Sequence, residues 1–408
     1  MKRRLKLLPW FVWKVLVGAS LCQHWPTSIL AIGWTYRSMQ RAAIEHWWRM
    51  GGGGDDGSRF VDFARADASL GGYAHQPNWV FRQHGIRGTF AAVSAAQGIF
   101  RKARALAGGL TASLRRNFMI GLRGAANTAV LTIVPSMLMV FGWYAGWNNS
   151  FHKDYEQFAH GLILSLIGIA LMIGAMFLLP MAQARQAVTG EWRRFYDFAI
   201  IWRLVRRRRL QCLLLAGLFS MASLPINILL ALPSALTQIN PAFLDLGNHD
   251  LLGFLNTYYF WVGAAGFLLY AGLRRIAARL YAGALVEAVQ EGDLPLTALA
   301  PVESSLLGRF GLIATKEKPV PHVIVAVVTI AARPAWRMAV AVATVVVWFT
   351  FIAQTYVREF LNNHHPRGLA NQPLAQAPWF RYVPRALEAT AKEDAQGAPP
   401  TSEYALYR

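Results

Sequence analysis

Five apolar stretches, at about residues 124–147, 161–183, 210–233, 252–273 and 335–357, are each long enough to cross a bilayer. None has a charged residue in its middle. A helix rises about 1.5 Å per residue, so about 20 apolar residues cover a hydrocarbon core about 30 Å thick. Lipid cannot hydrogen-bond a bare backbone, which leaves helices as the spanning form for segments of this length. The expected fold is therefore all-α. It is a multi-pass helical integral membrane protein with about five transmembrane helices, an N-terminal re-entrant or interfacial hairpin, and basic amphipathic helices on the cytoplasmic side. A net charge of +20 with 55% hydrophobic residues agrees, since inward loops of such proteins are basic and lipid-facing parts apolar.

Loop charge sets the expected direction. Segment 37–123 carries 13 Lys/Arg against five Asp/Glu, segment 184–209 eight against two, and segment 274–334 seven against five. These are expected in the cytoplasm. Loops 148–160 and 234–251 hold a single basic residue, Lys153, and are expected outside. The N-terminus then lies inside and the C-terminal tail outside. The excess of Arg over Lys and the abundance of Ala suggest a bacterial genome, and hence the inner (plasma) membrane.

Four regions follow. Residues 1–36 form an apolar re-entrant or interfacial segment, interrupted at Gln23, His24 and Pro26, with a single crossing or a cleaved signal as the alternative. Residues 37–118 form a cytoplasmic linker, with a glycine run at 51–54, and an amphipathic helix. Residues 119–357 hold the five spans, and residues 358–408 an extracytoplasmic tail, partly disordered. The amphipathic stripe is Ile99, Ala103, Leu106, Leu110, Leu114 and Phe118, with Arg and Lys off it. Similar helices cover 184–209 and follow the fourth span. Pro135 and Pro225, 90 residues apart in two spans, suggest an internal repeat of amphipathic helix, kinked span and straight span.

Phosphate-binding loops, metalloprotease and hydrolase motifs and Cys/His metal spacings are all missing from the sequence. Cys22 and Cys212 stand alone in apolar surroundings. No cofactor is expected, and an enzyme is the weaker reading. Three groups of side chains remain as candidates. An outer-face polar cluster comprises His152, Asp154, Glu156, His160, Asp245, His249 and Asp250, which could bind a metal or move protons. An intramembrane polar cavity would use Asn127, Asn227, Asn256 and Tyr259, beside carbonyls freed by Pro225. Lipid-headgroup contacts would be Arg193, Arg194, Arg206, Arg207, Arg208 and Arg209. The arginine run abuts a span, so nucleic acid is not an expected partner.

The primary expectation is a non-catalytic inner-membrane protein that assembles with partner proteins, or with itself, or organises an anionic membrane surface. A permease or lipid-handling transporter subunit is the first alternative. A membrane-embedded enzyme with an outer-face His/Asp site is the second.

Overall fold

A computed structural model describes residues 8–55, 59–69, 98–142, 159–243, 245–314, 371–383 and 387–391, with 334–335, 338–339, 341–342 and 345–346 between them. All its regular structure is helical; no strand occurs among the described residues. The helices are α1 (Leu8–Leu21), α2 (Trp25–Met50), α3 (Phe60–Ser69), α4 (Ile99–Gly142), α5 (Ala159–Thr189), α6 (Phe198–Arg207), α7 (Arg209–Ile239), α8 (Asn248–Gln290) and α9 (Pro301–Arg309). Four of these, α4, α5, α7 and α8, are long and apolar enough to cross a membrane. The chain is a multi-pass, all-α membrane protein. Most of the expected fifth span over 335–357 falls outside the described residues.

Helix α2 is the centre of the bundle. The chain reverses at Cys22–His24, and Pro26 sits in the first turn, where its missing N–H leaves no helical bond unmade. Ile32, Tyr36, Met39, Ala43 and Trp47 then lie buried against α4, α5 and α8. The Trp47 indole N–H donates to the Ala282 carbonyl at 2.9 Å, tying α2 to α8. Residues 37–50, expected as a cytoplasmic extension of the hairpin, are thus the continuation of a core helix across residue 36.

Helices α2 and α4 cross with their backbones touching. A Cβ added to Gly33 would lie 1.8 Å from the Asn117 carbonyl oxygen, and one on Gly121 would lie 1.9 Å from that of Ile29. Small residues set the α4–α5 contact too: a Cβ on Gly142 would fall 2.5 Å from Ser165 Oγ and 2.7 Å from the Gly161 carbonyl oxygen. The buried side of α4 runs Ser113, Asn117, Gly121, Gly124, Thr128, Thr132, Pro135, Met139, Gly142. This is a seam of small and polar residues, as expected where lipid gives apolar side chains no reason to turn inward. The apolar side faces out, with Ile99, Leu106, Val130, Val134 and Phe141 exposed.

Helix α4 is 44 residues long, about 66 Å, so the amphipathic segment and the span are one helix. Further along the chain, Arg208 breaks the helix between α6 and α7. The basic end of the bundle is closed by a buried network. Arg185 Nε donates to Asp197 Oδ2 at 3.0 Å, and its Nη1 donates to the Tyr281 hydroxyl at 3.2 Å and to Glu303 Oε1 at 3.3 Å. The Tyr281 hydroxyl also bonds Glu303, whose other oxygen accepts the Ala300 N–H at 2.7 Å. Arg185, Tyr281 and Glu303 are all buried, so α5, α8 and α9 are joined by one satisfied charge pair.

Two predictions follow from this packing. Gly121→Val should cost at least about 3 kcal/mol, because a backbone atom blocks the added group, whereas Gly174→Ala, which opens on empty space, should be near neutral. Thermal unfolding in detergent compares the two. Arg185→Met should cost about 3–5 kcal/mol by leaving Glu303 buried without its cation. The double variant with Glu303→Gln should lose less than the two single variants together.

Candidate functional site

The described outer-face candidates are all exposed. His160 is exposed near the start of α5, and Asp245, His249 and Asp250 are exposed around the start of α8. His152, Asp154 and Glu156 lie outside the described residues. Among the described residues, no three His, Cys, Asp or Glu side chains are grouped to hold a metal.

The intramembrane candidates take different partners. Asn127 donates to Gln186 Oε1 at 3.1 Å and to the Trp192 carbonyl at 2.8 Å, and accepts from the Tyr196 hydroxyl at 3.0 Å. Asn256 accepts twice from the Arg381 guanidinium, at 3.0 and 2.9 Å. The Tyr259 hydroxyl donates to the Leu230 carbonyl at 3.2 Å. Asn227 is buried on α7, with its amide nitrogen unbonded among the described residues. Asn127 therefore belongs to the basic end, while Asn256 is bound by the tail.

The arginine run divides by role. Arg207 pairs with Glu291 and Asp293, and Arg208 with Glu287, at the C-terminal end of α8. Arg206 and Arg209 stay exposed and line a surface recess with Arg203. Arg193 lies over the Trp192 ring, 5.5 Å from its centroid, and Arg194 pairs with Glu191 at 3.0 Å and Asp197 at 3.4 Å.

The residues that come together are others. Beyond the Gly33–Gly121 crossing, α2 and α4 flank a cavity of about 380 Å³ that the end of α5 and the Trp192 turn complete. Gly190, at φ +73°, ends α5 and turns the chain back so that Trp192 forms one wall. Three guanidinium groups line it: Arg37, one turn after Gly33, and Arg116 and Arg123, two turns apart on α4. Arg37 is buried and donates to Asn117 Oδ1 at 3.0 Å, close enough to Arg116 to feel its charge. Gln40 and Gln186 add amides, and Met119, Ile120 and Val302 add apolar wall. Among the described residues no carboxylate lines the cavity; Glu191, beside it in sequence, is turned to Arg194.

The chemistry of such a lining is anion recognition. Guanidinium forks match the paired oxygens of phosphate or carboxylate, and amides supply further donors. Arg37 and Arg116 are individually ordinary in the sequence: one looks like a linker charge and the other like the polar side of an amphipathic helix. Only the helix crossing makes them neighbours.

The same positive field reaches His46, on the C-terminal half of α2. Burial first, and then Arg208, Arg279 and Arg49, hold its imidazole below the usual histidine range. The folded value lies below the unfolded one, so the unfolded chain takes up the proton first. Stability should fall as pH drops through the ordinary value of 6.5. Melting temperatures from pH 7.5 to 5.5 should show that decline, and His46→Gln should flatten it.

Compared with protein families, with curated proteins and with solved structures, the chain matches none.

Proposed function

We propose that this chain is a lipid-handling inner-membrane protein that binds an anionic, phosphate-bearing amphiphile in the cavity between α2, α4 and the end of α5. The observation that carries this reading is the convergence of Arg37, Arg116 and Arg123 on a cavity without a lining carboxylate. Arg116 and Arg123 are exposed at the mouth of the cavity and Arg37 is buried behind them, so an anion entering from the surface would meet all three. The cavity volume suits a headgroup rather than whole acyl chains. Outward-facing Val130, Ile133 and Val134, further along α4, offer an apolar surface for the chains.

Positive loops favour the cytoplasmic leaflet for this end of the bundle, with the N-terminus inside and the tail outside. A bacterial plasma membrane fits the composition and supplies anionic lipid at that leaflet. A second reading, organisation of the bilayer surface or of a partner on it, has its own support in the first half of α4. There Ile99 and Phe100 are 78% and 88% exposed beside Arg101, Lys102 and Arg104.

The test is lipid retention. Protein purified in mild detergent from membranes of mixed phosphatidylglycerol and phosphatidylethanolamine should keep the anionic lipid selectively. Arg116→Gln with Arg123→Gln should reduce that preference about tenfold, and the Lys pair should retain part of it. Equal retention of both lipids by wild type and variant would sink the proposal.

A further inference from the structure

A stretch of irregular backbone from the C-terminal tail, residues 371–383, lies inside the helical bundle. Leu374, Ala375, Phe380 and Tyr382 are buried. In a membrane protein such backbone persists only where protein groups satisfy it. Here four donors do so at one end. Arg274 Nη1 donates to the Leu374 carbonyl at 2.9 Å, and Nη2 donates to the Ala375 carbonyl at 3.3 Å. Gln183 donates to that same Ala375 carbonyl at 3.3 Å, and the Tyr270 hydroxyl donates to the Gln376 carbonyl at 3.3 Å. Further along, the Gln376 amide donates to Thr132 Oγ1 at 2.7 Å. The Phe380 N–H donates to the Cys22 carbonyl at 3.0 Å, and its ring rests on Gly266.

Arg274 is the anomaly in this cleft. It is 1% exposed and lies 3.6 Å over the Tyr270 ring. Its Nε has no hydrogen-bond partner, and no carboxylate pairs with it among the described residues. Contrast Arg185, equally buried and flanked by two carboxylates. The two Arg274 amino groups hold two successive carbonyl oxygens, an arrangement that stands in for the two oxygens of one carboxylate. A fully charged acceptor would serve a buried guanidinium better than two neutral ones.

We propose that this cleft is a binding site for an extended peptide bearing a free carboxylate, and that the tail occupies it as an internal stand-in. The carboxylate would be held by Arg274 and Gln183, and the chain would run towards Gly266 and the Cys22–Gln23 turn. A peptide is favoured over a fatty acid because the cleft offers polar partners along its length, including Thr132, Ser136 and the Cys22 and Gln23 carbonyls. An acyl chain would leave those groups unmet.

The experiment uses the full chain in nanodiscs, with Gln376→Cys as a reporter and maleimide labelling rate as the readout. The probe is the hexapeptide Phe-Trp-Pro-Ala-Gln-Ala, the tail's own residues from Phe380 back to Ala375. As a free acid it places its carboxylate where the Ala375 carbonyl now sits. The acid should speed labelling about tenfold and the C-terminal amide should not. Arg274→Lys, which keeps the charge and loses the fork, should remove most of the effect. Phe380→Ala loosens the tail and should make the acid act at lower concentration. Equal effects of acid and amide, or none in either the Cys reporter or its Phe380→Ala derivative, would overturn the proposal. Acceleration by laurate but not by the peptide acid would overturn the peptide assignment.

Discussion

The contact of bare backbone between α2 and α4 is the constraint on which the remaining structure depends. Gly33 and Gly121 let the two helices approach so closely that a single Cβ on either would strike a carbonyl oxygen. Lipid supplies no hydrophobic drive for helices to associate, so close van der Waals packing and interhelical hydrogen bonds carry the association. With α2 fixed against α4, Arg37 reaches Asn117, Gln40 reaches the Val188 carbonyl at 3.1 Å, and Trp47 reaches α8. The cavity lies where α2 and α4 meet, and the Gly190 turn and Trp192 form one of its sides. A bulkier residue at the crossing would separate the helices and scatter the three arginines.

The buried arginines differ in what answers them, and the difference sorts structure from site. Arg185 has Asp197 and Glu303, and it welds three helices. Among the described residues, Arg274 has neutral carbonyls of the tail and an aromatic ring. Arg37 donates to the Asn117 side chain and lines the cavity with two further arginines. A charge matched by carboxylates has nothing left to recruit. A charge matched by dipoles leaves a difference in free energy that an anion can supply. By this measure the cavity and the tail cleft are the places we propose for binding, and the Arg185 network ties together α5, α8 and α9.

The class of the fold was legible in the sequence because span length and loop charge are read from local composition, and helices α4, α5, α7 and α8 stand where apolar runs predict them. Element boundaries were less so. Hydropathy changes at the end of a span, but the helix need not, so α4 and α8 run through the expected junctions. The helical period of Ile99, Leu106, Leu110 and Phe118 was a true signal, and that side is exposed, while the seam of Ser113, Asn117, Gly121 and Gly124 is the one that packs. The cavity arginines could not be grouped from the sequence, since Arg37 and Arg116 are 79 positions apart and meet only through a glycine crossing. Trp25–Met50 hid its role because Arg37, Arg41 and Arg49 break its hydropathy, although Ile32, Met39, Ala43 and Trp47 are buried along it.

Uncharged spans and a charged interior are compatible because of helix length. Helices α4 and α8, at about 65 Å, exceed a hydrocarbon core of about 30 Å by a factor of two. Packing of each against α2 and α5 therefore continues past the lipid, and a residue at the end of an apolar run can be fully enclosed by protein. Arg185 and Arg274 both lie at such ends and are buried. Enclosure there excludes water without placing the ion deep in hydrocarbon, where desolvation is hardest to offset. Ionisable residues at mid-span are the usual pointer to chemistry in a membrane protein. In this bundle the pointer moves to the flanks, where the apolar windows stop and the helices do not.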